Sequence, residues 1–303
     1  MIHGFVVIDK PAGITSHDVV SRVRRILGTR KVGHTGTLDP FATGVLPVAV
    51  NDGTKTIPFL DEGRKCYQAL LRLGVATDTL DMTGRVLAEN DFHQVDRLAL
   101  EAVIARFTGI ISQLPPMYSA IKQNGQPLYK LARQGQEVER KLRQVEISRI
   151  EVLDFAPPLV SLRVSCSRGT YVRSLADDIG RELGCGAALQ ELRRTCSGPF
   201  AIEAACTLES LEELARDGRA ASVVTKPVDA LSHLPNFELD EGNLVAVSHG
   251  RSPSWRQNWP DVVSAGNSGQ LVRLTSQGNL VAVADLVMAE TGEAHLTLKR
   301  VFV

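Results

Sequence analysis

Apolar positions recur along the chain in two rhythms, and together they predict buried strands alternating with amphipathic helices. Gly4-Phe5-Val6-Val7-Ile8-Asp9-Lys10-Pro11 is a short apolar run closed by a turn, which reads as a buried strand. Thr15 or Ser16 then caps a helix whose apolar stripe is Val19, Val20, Val23, Ile26 and Leu27, and Gly28 stops it. Residues 45–50 have the composition of a second buried strand. In residues 65–74 strict alternation places Tyr67, Ala69, Leu71 and Leu73 on one face of a third. A helix is predicted over residues 96–107, burying Leu100, Val103, Ile104 and Phe107. Two strand-like runs, 145–154 and 159–165, follow. Next come a helix starting at Arg173 and ending near Gly184, a strand over 189–195, and an acidic, peripheral amphipathic helix over 207–216. Residues 226–235 read as linker. From Asn236 the character changes to short β-branched strands at 271–274, 280–288 and 296–303, with turns at Gly278 and Gly292. Trp255 and Trp259 in this tail read as core.

Two stretches break the rhythm. The first is Val32-Gly33-His34-Thr35-Gly36-Thr37-Leu38-Asp39-Pro40-Phe41-Ala42-Thr43-Gly44, a polar loop punctuated by glycine. Its glycines let backbone turn sharply and approach a ligand closely. Pro40 biases Asp39 away from helix. On chemistry alone Asp39 is a turn-capping carboxylate and His34 a structural histidine. No Gly-Lys-Ser/Thr closes the loop, so a phosphate-cradling P-loop does not fit. Arg22, Arg24, Arg25, Arg30 and Lys31 immediately precede it, a placement that suits contact with phosphate. The second stretch, residues 113–143, is long, polar and basic, with Tyr129 among Lys130, Arg133, Arg140, Lys141 and Arg143. Long polar loops inside compact domains are usually functional, and basic side chains interleaved with tyrosine suit an RNA-gripping flap. Arg173 also stands out, because a helix N-terminus does not favour a cation and an anionic partner would account for it.

The chain has 303 residues, 44% hydrophobic and 22% charged, which fits an ordinary globular protein of one large domain and one small. Lys+Arg 34 balance Asp+Glu 34, so any attraction for nucleic acid must come from local patches. No run approaches a membrane span, and Met1-Ile2-His3-Gly4 lacks a signal-peptide layout. Five cysteines without Cys-x-x-Cys spacing suit a reducing compartment without structural zinc. The expectation is a cytoplasmic protein with no membrane contact, metal or cofactor.

The block Gly-His-Thr-Gly-Thr-Leu-Asp-Pro-x-Ala-Thr-Gly at 33–44 resembles the catalytic signature of the TruB family of pseudouridine synthases. Other stretches resemble that family in the same order. Asp9-Lys10-Pro11-x-Gly-x-Thr-Ser resembles its first motif, Lys65-x-Tyr67 its strand beside the target base, and Gly169-Thr170-Tyr171-x-Arg173 the motif whose arginine pairs with the catalytic aspartate. The resemblance covers most of the first two hundred residues. It implies an α+β fold: a catalytic domain (1–234) around a long mixed, mostly antiparallel sheet, a thumb-like RNA-binding insertion (about 113–143), and a small β-rich PUA-like RNA-binding domain (235–303). It implies isomerisation of the tRNA T-loop uridine numbered 55 by convention. Asp39 would act on the nucleoside, as nucleophile or by taking a ribose proton, and Arg173 would be its ion-pair partner. Tyr67 would stack on the base with a possible part in proton removal. Lys10 would support the loop, and His34, Tyr171 and Leu192 would contact the flipped nucleotide.

The residues suit that chemistry. Breaking C1′–N1, turning the base, joining C1′ to C5 and removing the C5 proton is redox-neutral and needs no metal. A hydrolase would want two carboxylates and a water, whereas this loop offers one. Extruding a base costs a few kcal/mol, which a stacking His34 would partly offset. The implied partner is the tRNA T-arm, with no guide RNA and no obligatory protein partner. The alternatives are a non-catalytic tRNA-binding or folding chaperone, a guide-dependent rRNA pseudouridylase, and an unrelated Asp-dependent hydrolase.

Overall fold

The computed structural model describes residues 2–61, 63–119, 121–123, 125–254, 269–288 and 294–302. Its spine is a long sheet whose main path runs Val224–Thr225, Gly4–Lys10, Thr43–Val50, Ala187–Ser197, Lys65–Leu73, Leu159–Cys166, Arg143–Ala156, Gly109–Gln113. Thr43–Val50 and Ala187–Ser197 pair in parallel, and their neighbours along the path pair antiparallel. The mixed, mostly antiparallel sheet of the sequence reading is therefore present.

Local chemistry sets the elements around it. Thr15 caps the helix Ser16–Ile26: Asp18 N donates to Thr15 Oγ1 at 3.1 Å, and Thr15 N donates to Asp18 Oδ2 at 2.9 Å, closing a capping box. Val19, Val20 and Val23 of this helix are buried against the sheet. Leu100 and Ile104 of Arg97–Arg106 and Leu175 and Ile179 of Val172–Glu182 join the same core. The helix Leu208–Arg216 is not peripheral. Leu208 and Leu211 are buried in that core, and each contributes about 1.5–3 kcal/mol of burial. Its acidic outer face masked that anchoring stripe. On the other face of the sheet Phe5, Val7, Val45, Ala49, Phe200 and Ala230 form a second cluster.

Gly44 lies where the polar loop joins the sheet. Its φ is +99°, and a Cβ there would sit 2.2 Å from the Arg194 carbonyl oxygen, so only glycine lets these two strands meet.

Residues 226–235 are not a free linker. Pro227–Ala230 is a short helix, and Ala230 and Leu231 are buried, the latter with Leu234 against Leu280 and Val283. Four apolar positions between two prolines, Val228, Ala230, Leu231 and Leu234, were too few to show a period. Within 113–143 the structure has a small hairpin, Lys122–Gln123 with Gln126–Pro127, and a helix Leu128–Arg133. The tail forms a four-stranded sheet, Asn236–Glu238, Gln270–Ser276, Asn279–Met288 and Ala294–Val301, with its own core around Phe237, Val272, Leu274 and Ala282. It also holds a helix, Glu241–Ser248, capped by Asp240, that the strand pattern did not predict. Trp255, Trp259 and Gly292 lie outside the described residues.

Candidate active site

The polar loop is held from behind. Lys10 Nζ donates to the carbonyls of Pro11, Ile14 and Pro40 at 2.9, 2.8 and 3.1 Å, using all three of its protons. Ser16 grips Leu38 from the helix side, accepting from its N–H at 2.9 Å and donating to its carbonyl at 3.1 Å. Asp39 stands between these two clamps, so its backbone is fixed at both neighbours.

Arg173 meets it from the second residue of the helix Val172–Glu182. Its Nη2 donates to Asp39 Oδ1 at 3.1 Å, and its Nε lies 2.9 Å from Oδ2 as a close ionic contact off the hydrogen-bond axis. Nη1 donates to the Thr79 carbonyl at 3.1 Å and reaches Asp81 Oδ2 at 3.4 Å, while Nη2 also donates to the Tyr118 carbonyl at 2.8 Å. The Arg173 side chain is 5% exposed, Asp81 4% and Asp39 32%. Two carboxylates thus surround one buried guanidinium, and the less buried of them opens to the cleft. They supply the anionic partner that this helix end called for.

Burial pushes the Asp39 carboxyl above the usual aspartate range, and Asp81 pushes the same way, while Arg173 and Lys10 pull it back. Burial pushes the Lys10 ammonium down to about 8. If Asp39 works ionised, kcat/KM falls on the acid side at a pH above that of a free aspartate. On the alkaline side Lys10 loses a proton, and with it one of its three backbone clamps, so kcat/KM is expected to bend down above about pH 8. A profile that stays flat up to the ordinary lysine range near about 10.4 would remove Lys10 from the account.

Asp39 and Arg173 line a cleft of about 380 Å³ that also takes in Tyr67, Tyr171, Leu192 and Arg194. Tyr67 comes from the inward face of Lys65–Leu73, as the alternation predicts. Burial pushes its phenol up to about 12, with the Arg194 guanidinium beside it, so it stays protonated near neutrality. Gln113 grips Tyr171 twice, donating to its carbonyl at 3.0 Å and accepting from its N–H at 2.7 Å. Lys10 lies behind the cleft. His34 lies outside the lining, which begins at Thr35. Burial and the nearby Arg194 charge lower the His34 pKa, favouring the neutral ring, and its Nδ1 has no hydrogen-bond partner among the described residues.

A single carboxylate facing a nucleoside-sized cleft, with a guanidinium fork behind it, is the arrangement the sequence motifs implied. A family model described as TruB family pseudouridylate synthase (N terminal domain) matches residues 24–172, and one described as tRNA pseudouridylate synthase B C-terminal domain matches residues 173–232. The chain belongs to the TruB family. It is 51% identical to the tRNA pseudouridine synthase B of Geobacter sulfurreducens, over 99% of both chains. It is 47% identical to the Pseudomonas aeruginosa protein of that name, over 82% of this chain and 83% of the relative. Among solved structures it is similar to a chain of a Cbf5-Nop10-Gar1 complex, with TM-score 0.75 and 31% identity over 99% of this chain and 85% of that one. A structure of an H/ACA RNP bound to a substrate RNA containing 2′-deoxyuridine gives TM-score 0.74 at 28% identity, covering 99% and 85%.

In this TruB chain several site residues escaped sequence reasoning. Asp81 lies in the polar stretch between the strand at 65–74 and the helix at 96–107, which carried no chemical signal of its own. Arg194 read as one residue of a strand, yet it is buried, donating from Nε to the Val45 carbonyl at 2.7 Å and from Nη2 to the Gly36 carbonyl at 3.2 Å. It thereby fixes both ends of the loop that carries Asp39. The available signal was alternation: Arg194 lies two residues after Leu192, on the same buried face of its strand. Arg168, at the cleft's lip, is exposed and has no ion pair among the described residues. No group of three or more His, Cys, Asp or Glu side chains among the described residues is arranged to hold a metal ion. No helix among them is long and apolar enough to cross a membrane.

Proposed function

We propose that this chain converts uridine to pseudouridine at T-loop position 55 of tRNA, with Asp39 acting on the nucleoside as nucleophile and Arg173 holding it charged and oriented. The observation that carries this reading is the Asp39–Arg173 pair opening into the cleft lined by Tyr67 and Leu192. The flipped uridine enters the cleft, where Tyr67 stacks on the base and Leu192 and Tyr171 close around it. A phenol that stays protonated suits stacking, and it could share in C5 proton removal only by handing its own proton to an acceptor as it takes the new one. Arg194 and Lys10 hold the loop still, so Asp39 does not reorient during the reaction. His34, beside the lining and favoured neutral, suits filling the vacated stack better than a charged contact with phosphate. The steps are redox-neutral and call on no cofactor.

The proposal extends to the whole chain. Residues 1–234 form the catalytic unit, 113–143 its thumb on the T-arm, and 235–303 a PUA-like RNA-binding unit. The enzyme works in the cytoplasm on tRNA alone, without guide RNA or obligatory protein partner. The thumb-like insertion and the relatives' names support the guide-free reading over the guide-dependent one. Incubating the purified protein with unmodified tRNA transcript and no additives is expected to give pseudouridine at one T-loop site. Binding without product would leave the chaperone reading. Product only with a guide RNA would leave the other.

Two further outcomes follow from the site. Arg168, exposed at the lip and without an ion pair among the described residues, is placed to meet an RNA phosphate. Arg168→Ala is expected to raise KM with little change in kcat and to reduce the salt slope of tRNA binding by about 1. An unchanged slope would take Arg168 off the RNA. His34→Ala is expected to cost about 1–3 kcal/mol, the worth of one stacking contact. A larger loss than that of the Asp39 variant would place His34 in the chemistry itself.

A further inference from the structure

The described cysteines are all free thiols, and two of them face each other. In the antiparallel pairing of Lys65–Leu73 with Ala187–Ser197, Cys66 stands directly opposite Cys196, and its thiol is near enough to help raise the Cys196 pKa. On the other flank of Cys66, Ser165 Oγ donates to its Sγ at 3.8 Å. Lys65 and Tyr67 point to the buried face, so Cys66 points to the opposite one, where it and Cys196 are partly exposed.

We infer that Cys66 and Cys196 form a reversible cross-strand disulfide under hydroperoxide and that the bond switches the active site off. The cross-link is independent of the proposed function; the loss of activity rests on it. The chemistry balances with a hydroperoxide as oxidant. The Cys66 thiolate attacks the O–O bond, giving a sulfenic acid and releasing an alcohol, or water from hydrogen peroxide. The Cys196 sulfur then attacks the Cys66 sulfur, the S–S bond forms, the S–O bond breaks and water leaves. Two thiols and one hydroperoxide become one disulfide, one alcohol and one water, and two electrons pass from sulfur to the peroxide. A dithiol reductant reverses the change by exchange. Burial and the thiol beside it push Cys196 up to about 12, so the pair answers sustained oxidant rather than a brief pulse.

The coupling to activity is geometric. Cross-strand partners hold their Cβ atoms about 4.5–5.5 Å apart, whereas a disulfide wants about 3.8 Å, so the strands must draw together by about 1 Å. The register already shifts between Arg194 and Cys196, leaving Thr195 as the extra residue that takes up the movement. Next to it is Arg194, whose guanidinium holds the Gly36 and Val45 carbonyls and whose backbone abuts Gly44. Beside Cys66 is Lys65, whose Nζ lies 2.9 Å from where a Gly36 Cβ would stand. Both strands therefore carry their shift into the loop that positions Asp39. A displacement of about 1 Å at a reacting group costs on the order of a hundredfold in rate.

The test uses the full chain treated with hydrogen peroxide, followed by non-reducing peptide mapping and by tRNA turnover in parallel. The expected result is a Cys66–Cys196 linked peptide, kcat lowered by about a hundredfold, tRNA affinity largely kept, and recovery with dithiothreitol. Cys66→Ser and Cys196→Ser are each expected to keep basal activity and to resist the oxidant, while Cys206→Ser stays sensitive. A link between other cysteines, a linked protein at full activity, or inactivation that persists in Cys66→Ser would each overturn the inference. If the untreated chain did not modify tRNA, the proposed function would fail, and the mapped cross-link would still decide whether the dithiol closes.

Discussion

Asp39→Asn is expected to abolish release of tritium from C5-labelled uridine in tRNA, a loss on the order of 10⁴-fold or more, while tRNA binding stays close to that of the unaltered chain. Asparagine keeps the volume and one oxygen, so the cleft and the clamps by Lys10 and Ser16 survive. It lacks the negative charge, and it is a poor nucleophile. Binding is expected to be spared because the cations proposed to meet RNA, Arg168 at the lip and those of residues 113–143, are separate from the carboxylate. The environment sharpens the expectation. Burial pushes Asp39 up, with Arg173 working against it, a tension typical of a functional carboxylate rather than a turn cap. Turnover within tenfold of the unaltered chain would return Asp39 to the bland turn-capping reading.

How much of this site could be read beforehand follows how far each signal travels along the chain. Asp39 stood out locally, among three glycines, a following proline and an apolar exit strand, but those neighbours alone read as a turn, and it was the resemblance of residues 33–44 to the TruB signature that made it the candidate. Tyr67 was legible because a strand's period of two assigns its face without knowledge of the partner strands. Arg173 was half legible. A cation in a helix's first turn is electrostatically misplaced, which called for an anion but did not say which, and its hydrogen-bonded partner Asp39 lies 134 residues away. Asp81 was not legible, since its link to the site is Arg173, 92 residues later in sequence. Arg194 failed for the same reason: its two acceptor carbonyls belong to a strand and a loop about which its own neighbourhood says nothing. In the fold, the acidic surface of Leu208–Arg216 outweighed two buried leucines in the pattern, and four apolar positions in 226–235 were too few to show a period.

Arg173→Lys is the substitution that separates holding a charge from holding a geometry. The guanidinium offers five donors in a rigid plane. Here they serve Asp39, Asp81 and the Thr79 and Tyr118 carbonyls together. An ammonium keeps the charge but concentrates three donors at one point, so it cannot meet four acceptors lying in different directions. Breaking a buried ionic network by removing a partner costs about 3–5 kcal/mol, and lysine recovers only part of that. The expected result is a severe fall in kcat and a lower melting temperature, and the pH profile gives a third readout. With the fork gone, the main influence pulling the Asp39 pKa down weakens, while burial and Asp81 still push it up. The carboxylate is then lost at a higher pH, so the acid limb of kcat/KM moves toward neutrality. Wild-type turnover in the lysine variant would remove the ion pair from the mechanism. A loss of turnover with the acid limb unmoved would confine Arg173 to holding Thr79 and Tyr118, making it a support for the fold and not for the charge on Asp39.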